Sequence, residues 1–79
     1  MIPILNQSKN KLIEPNYVRC EQRLNNSKWV IIASTDQWGI DVAEYDTKEV
    51  AMEVLKDYSA SFDTYETYPM PTAKEMEVK

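Results

Sequence analysis

The sequence predicts an α+β fold: one mainly antiparallel sheet of five to six strands, order β(β)βββαβ, packed against a single helix near residues 47–60. Three observations lead there. First, within Tyr45–Tyr58 the residues Val50, Val54 and Tyr58 fall four apart, with Ala51 and Leu55 beside them. That spacing puts one apolar stripe on a helix and leaves Lys48, Glu49, Glu53, Lys56 and Asp57 on the other side. Second, much of the remaining chain divides into strand-length pieces separated by Asn, Ser and Pro clusters. Third, an isolated helix of this length is marginal in water, so it needs a surface to lie on, and a sheet supplies one.

The elements follow in order. Ile2–Leu5 is apolar but contains Pro3, which lacks a ladder donor, so an edge strand at best is expected. Asn6–Asn10 has turn chemistry, Leu12-Ile13 resumes an apolar run, and Pro15-Asn16 breaks it, giving a short hairpin. Tyr17–Leu24 alternates, with Val18, Cys20 and Leu24 on one face, interrupted by Gln22, and Tyr17, Arg19, Glu21 and Arg23 on the other. Asn25-Asn26-Ser27 is the next turn, where Asn tolerates positive φ. Trp29–Ser34 is apolar on both faces, the mark of a central strand covered twice. The helix covers one face; a chain end, a second subunit or a ligand is expected on the other.

Thr35–Gln37 is a loop closed by Trp38-Gly39, and this single glycine is the expected place for a φ that other residues resist. Ile40–Tyr45 alternates, with Ile40 and Val42 on one face and Asp41, Ala43 and Tyr45 on the other. Asp46 is the expected helix N-cap, Glu49 has capping-box spacing from it, and Tyr45 with Val50 has the spacing of a hydrophobic staple. Asp63–Tyr68 suits a final strand, ended by Pro69-Met70-Pro71. Residues 72–79 read as a frayed tail or a last helical turn.

The chain has 79 residues and is read as one domain, 1–79. A chain of this size buries only about 60–65% of its unfolded surface, so pairing into a homo-oligomer is a natural supplement. The net charge is −4, with residues 1–38 at +2 and residues 39–79 at −6. That balance disfavours direct duplex DNA binding and anionic membranes. It assigns an anionic ligand to the first half and a basic protein partner to the second. Cys20 is alone, which precludes an internal disulfide and fits a reducing cytosol. No run approaches a membrane span, and the start has no basic segment of the signal-peptide kind.

Three pieces carry a resemblance: Ile4-Leu5-Asn6-Gln7-Ser8 at the start, Val42–Glu49 with Ala51 and Val54-Leu55 leading through the helix, and Tyr68-Pro69-Met70-Pro71 near the end. Together they are similar to a broad set of small phage and mobile-element proteins of Gram-positive bacteria. Those begin with an "ILSQDGK"-like hairpin, carry an "LGEYxTxExAxxVL" core and end in a "YxMP"-like strand. Here Ser8-Lys9-Asn10 replaces the usual Asp-Gly turn, and Tyr17–Gly39 follows no pattern of the set. The resemblance implies an α+β fold and a phage accessory protein acting in the host cytoplasm, with no settled activity and no functional residues to carry over.

The chemistry narrows the reading further. There is no histidine to serve as general base or metal ligand, and one cysteine excludes a cysteine zinc site. No phosphate-binding or nucleophile-elbow motif occurs, so no enzyme, no metal and no cofactor is expected. The candidate ligand-binding residues are Arg19, Arg23, Trp38, Trp29 and Tyr17. Arg19 and Arg23 share a strand face, where guanidinium forks suit phosphate bidentately; Glu21 between them makes a plain solvated ion pair the competing reading. A loop tryptophan such as Trp38 stacks on a base or anchors a protein interface, whereas Trp29 also suits the core. The function expected first is capture of a small anionic ligand, such as a host nucleotide immune signal, as an anti-defence device. The alternative is a protein–protein inhibitor of a host defence or nucleic-acid-binding protein, acting through the acidic helix face of Glu49, Glu53 and Asp57.

Overall fold

In the computed structural model, which describes residues 2–62 and 66–77, the chain runs β1 (Ile4–Leu5), β2 (Leu12–Ile13), β3 (Tyr17–Gln22), β4 (Trp29–Ser34), β5 (Gly39–Tyr45), α1 (Lys48–Ser59), β6 (Tyr68–Pro69) and α2 (Ala73–Glu77). The fold is α+β. The expected single sheet divides into two three-stranded sheets, ordered β2-β1-β6 and β3-β4-β5. All pairings are antiparallel except β1 with β6. The split follows from element length: β1, β2 and β6 have two residues each, too few to extend the ladder of the longer strands.

β1 is the middle strand of its sheet, not an edge. Pro3 permits this because it precedes the strand and only its carbonyl is used, accepting from the Tyr68 N–H at 2.8 Å. The two sheets are joined by Gln7. Its backbone N–H donates to Val42 O at 2.7 Å, its Oε1 accepts from Glu44 N at 2.9 Å, and its Nε2 donates to Glu44 O and Pro71 O. One amide side chain thus ties the hairpin, the outer side of β5 and the C-terminal segment.

α1 packs on one face of β3-β4-β5, burying Ala51, Val54 and Tyr58, with Val50 and Leu55 partly buried against the same core. Ile31, Ala33, Ala43 and Tyr45 meet the helix from the sheet, and Ile4, Ile13, Tyr68 and Met70 close the core from the small sheet. Burial of one such aliphatic side chain stabilises by about 1.5–3 kcal/mol. Tyr58 sits between them, donating its hydroxyl to Ile2 O at 2.7 Å and meeting the Tyr68 ring edge-on at 5.3 Å.

Several local expectations are corrected. The α1 N-cap is Thr47, whose hydroxyl accepts from Val50 N; Asp46 lies one residue outside the helix and pairs with Lys28. Glu49 therefore misses the capping-box position, and Tyr45 is not a staple: it is buried and donates its hydroxyl to Pro71 O. A reciprocal capping box does occur at Thr72 and Glu75, which start α2. Residues 73–77 thus take the helical-turn reading of the tail. Leu24 lies beyond β3 and is fully exposed, and the positive φ in the following turn belongs to Ser27. Gly39 has no positive φ. Glycine is needed there for close approach, since a Cβ would lie 2.9 Å from Ser34 Oγ. A bulge opposite Ile31 and Ile32 breaks the alternation of β5, so Ala43 faces the helix while Asp41 faces away. The final strand is only Tyr68–Pro69; the part of that expectation at Asp63–Tyr65 lies outside the described residues. No helix among the described residues is long and apolar enough to cross a membrane.

Candidate functional site

Among the described residues, the helix α1 contacts one face of β3-β4-β5, and the other, outer face carries the polar side chains of the flanking strands. Val30, Ile32 and Ser34 on this face of β4 are buried under long polar side chains from the flanking strands. Cross-strand register explains which: Tyr17 lies opposite Ser34, Arg19 opposite Ile32 and Glu21 opposite Val30, while Asp41 lies opposite Ile32 from the other side. Guanidinium and carboxylate stems lie over the aliphatic floor and keep their heads in water.

These side chains form an open groove of about 480 Å³, lined by Tyr17, Arg19, Glu21 and Arg23 on one wall and Asp36, Trp38 and Asp41 on the other, floored by Ile32 and Ser34. Arg19 is fixed by three bonds: Nε to Glu21 Oε1 at 2.7 Å, and Nη1 to Ser34 Oγ at 3.1 Å and to Tyr17 Oη at 3.3 Å. The Glu21 hydrogen bond, foremost, raises the Arg19 pKa above its ordinary value. Arg23 pairs with Asp41 across the groove. Trp38 is presented by a loop that Thr35 ties at its base. The Thr35 N–H and hydroxyl donate to Trp38 O at 2.7 and 3.1 Å, and its Oγ1 accepts from the N–H groups of Gln37 and Trp38. Trp38 and Tyr17 stay 53% and 52% exposed, and the Arg19 guanidinium lies over the Tyr17 ring, 5.8 Å from its centroid.

Four of the five sequence-level candidates, Tyr17, Arg19, Arg23 and Trp38, thus meet in one groove. Trp29 does not. It stands opposite Tyr45, packs against the core on the helix side, and carries the Lys48 ammonium 5.6 Å from its ring centroid. The groove residues that the sequence left out of the site are Ile32, Ser34, Thr35, Asp36, Gly39 and Asp41. Asp41 was masked by the bulge, and Ser34 by its place at the end of an apolar run. Cys20 is on the helix side of β3, where burial raises the pKa of its thiol.

The groove carries two guanidiniums and three carboxylates, Glu21, Asp36 and Asp41. It can therefore meet an anion only together with hydrogen-bond donors. Among the described residues, no group of three or more His, Cys, Asp or Glu is arranged to hold a metal ion. Comparison of the chain with family models, curated proteins and solved structures finds no match in any of the three.

Proposed function

We propose that this chain is a non-catalytic binding protein whose groove on the outer face of β3-β4-β5 captures a small anionic ligand of nucleotide-like chemistry. One observation carries the reading. Tyr17, Arg19 and Arg23 from β3 and its end meet Trp38 from the loop before β5 in one groove, with both aromatic rings half-exposed. The ion pairs of Arg19 with Glu21 and of Arg23 with Asp41 are solvent-exposed and weak, so both guanidiniums can turn to a doubly charged phosphate, with Arg19 still steadied by Ser34. The freed Glu21 and Asp41 carboxylates then accept from amino or hydroxyl groups of a base or sugar, while Trp38 and Tyr17 offer stacking faces. A simple inorganic anion satisfies only half of this groove. The phage setting that the resemblance implies, with a host nucleotide immune signal as the ligand, belongs to the same proposal.

The test is native mass spectrometry of the chain after exposure to a small-molecule extract of bacterial cells, set against the Arg19→Ala/Arg23→Ala variant. The native chain retains a nucleotide-like mass released on denaturation, and the variant loses it with a melting temperature within a few degrees of native. Equal retention by both chains excludes this groove as the site.

A protein partner on the acidic helix face is the second reading, favoured by the exposed Met52 between Glu49 and Glu53. Asp57, the third acid of that face, is exposed and accepts from the Tyr68 hydroxyl at 2.6 Å. Under this reading Glu49→Lys/Glu53→Lys abolishes capture of a basic protein, and undiminished capture rejects it.

A further inference from the structure

The two long edges of the β3-β4-β5 sheet are treated differently. The β5 edge is bulged and occupied, with the Val42 carbonyl and the Glu44 N–H both engaged by Gln7. Among the described residues β3 pairs on one side only, with β4. Exposed strand edges are usually blunted by proline, lysine or a bulge, because bare backbone groups recruit another strand. β3, with the sequence YVRCEQ, has no proline or lysine and an uninterrupted register with β4; its two charges, Arg19 and Glu21, are of opposite sign and so do not repel a strand that offers the reverse order.

We propose that the β3 edge is the docking surface for a second copy of this chain, pairing antiparallel about a two-fold axis at Cys20. The backbone geometry sets which positions can pair. Arg23 N–H donates to Lys28 O across the β3–β4 hairpin, so by strand alternation Tyr17, Arg19 and Glu21 direct their backbone groups to β4. Val18, Cys20 and Gln22 direct theirs outward. A two-fold axis at Cys20 opposes it to the partner's Cys20 and opposes Val18 to the partner's Gln22, joining outward groups to outward groups.

Charge selects that register from its neighbours. With the axis at Cys20, Arg19 faces the partner's Glu21 and Glu21 faces the partner's Arg19. The existing Arg19–Glu21 pair then becomes half of a four-charge ring. Tyr17 faces the partner's Arg23, the arrangement of a cation–π contact. Moving the axis one residue, to Arg19 or to Glu21, sets like charges directly opposite each other, which is destabilising. The self-complementary order of Tyr17, Arg19, Glu21 and Arg23 therefore fits a second copy of this chain and not an arbitrary strand. These four residues also line the groove, so pairing fuses two grooves across the seam and places the partner's Arg23 beside Tyr17.

The pairing does not rest on the ligand reading, and its test uses ligand-free protein. Light scattering coupled to size exclusion is expected to give twice the 9.2 kDa chain mass for the native protein. Arg19→Glu and Glu21→Arg each change two cross-strand pairs from attraction to repulsion, so each weakens dimerisation about tenfold or more. The doubly exchanged chain, Arg19→Glu/Glu21→Arg, restores the alternation and returns the dimer. Circular dichroism checks the fold of each variant, and the exchanged chain decides the question if a single reversal fails to fold. A native mass of one chain overturns the inference. So does a dimer indifferent to both reversals, or a folded exchanged chain that remains monomeric.

Discussion

Single residues here do work out of proportion to their size, and Gln7 is the clearest case. Its side chain satisfies groups on β5 and on the C-terminal segment, so Gln7→Ala removes three hydrogen bonds, two exposed ones to Glu44 and a part-buried one to Pro71 O. A loss of about 1–3 kcal/mol is expected, read as a lower urea midpoint. Gly39→Ala is expected to cost a similar amount, about 1–3 kcal/mol, because the new Cβ meets Ser34 Oγ at 2.9 Å. That substitution also pushes on the hydroxyl that holds Arg19, so it disturbs the groove as well as the fold. Tyr45 and Tyr58 are both held neutral by burial, which raises their pKa values. A raised folded-state value means their contribution is fully present below the ordinary tyrosine pKa of about 10 and is lost as pH climbs above it. Followed by NMR through an alkaline titration, the Tyr45 and Tyr58 rings should therefore ionise together with loss of the fold. A simple titration of both phenols with the fold intact would contradict this.

Elements were legible wherever periodicity was long and the chain regular. The α1 stripe of Val50, Ala51, Val54, Leu55 and Tyr58 needs no tertiary information, and β4 shows its central place by being apolar on both faces. The caps were less legible, because Asp46 and Thr47 are both competent N-cap residues at adjacent positions. Which one closes the helix depends on Lys28, far off in sequence, which takes Asp46 into an ion pair. Thr47→Ala is accordingly expected to cost about 0.5–2 kcal/mol, while Asp46→Ala, which removes only a solvent-exposed ion pair, costs less. At the other end Glu75 has its pKa lowered by the Thr72 backbone N–H and then by the Thr72 side chain. A lowered value contributes stability that is present above the ordinary glutamate pKa and lost as pH falls below it. Acidification should release α2 before the rest of the fold, seen as early loss of the Ala73 and Met76 signals by NMR, and Glu75→Ala should release it already at neutral pH.

At the scale of the whole molecule, the sequence showed strand faces but not the division of strands between two sheets. Two-residue strands carry no period, and their pairing is decided by contacts such as Gln7 to Val42 that span the chain. The same limit explains the groove. Alternation put Tyr17, Arg19 and Arg23 on one face, and loop chemistry marked Trp38. The bulge that turns Asp41 toward them, and the register that sends Trp29 to the helix side, exist only in three dimensions. The two tryptophans now supply an internal control for the proposed binding surface. The most direct measurement is a heteronuclear NMR titration of the chain with nucleotide-containing cell extract, following the two indole N–H signals and the Arg19 and Arg23 Nε–H signals. Capture in the groove should move the Trp38 indole and both arginine signals while the Trp29 indole stays in place. Movement confined to Glu49, Met52 and Glu53, or no movement of Trp38 with ligand retained, would contradict it.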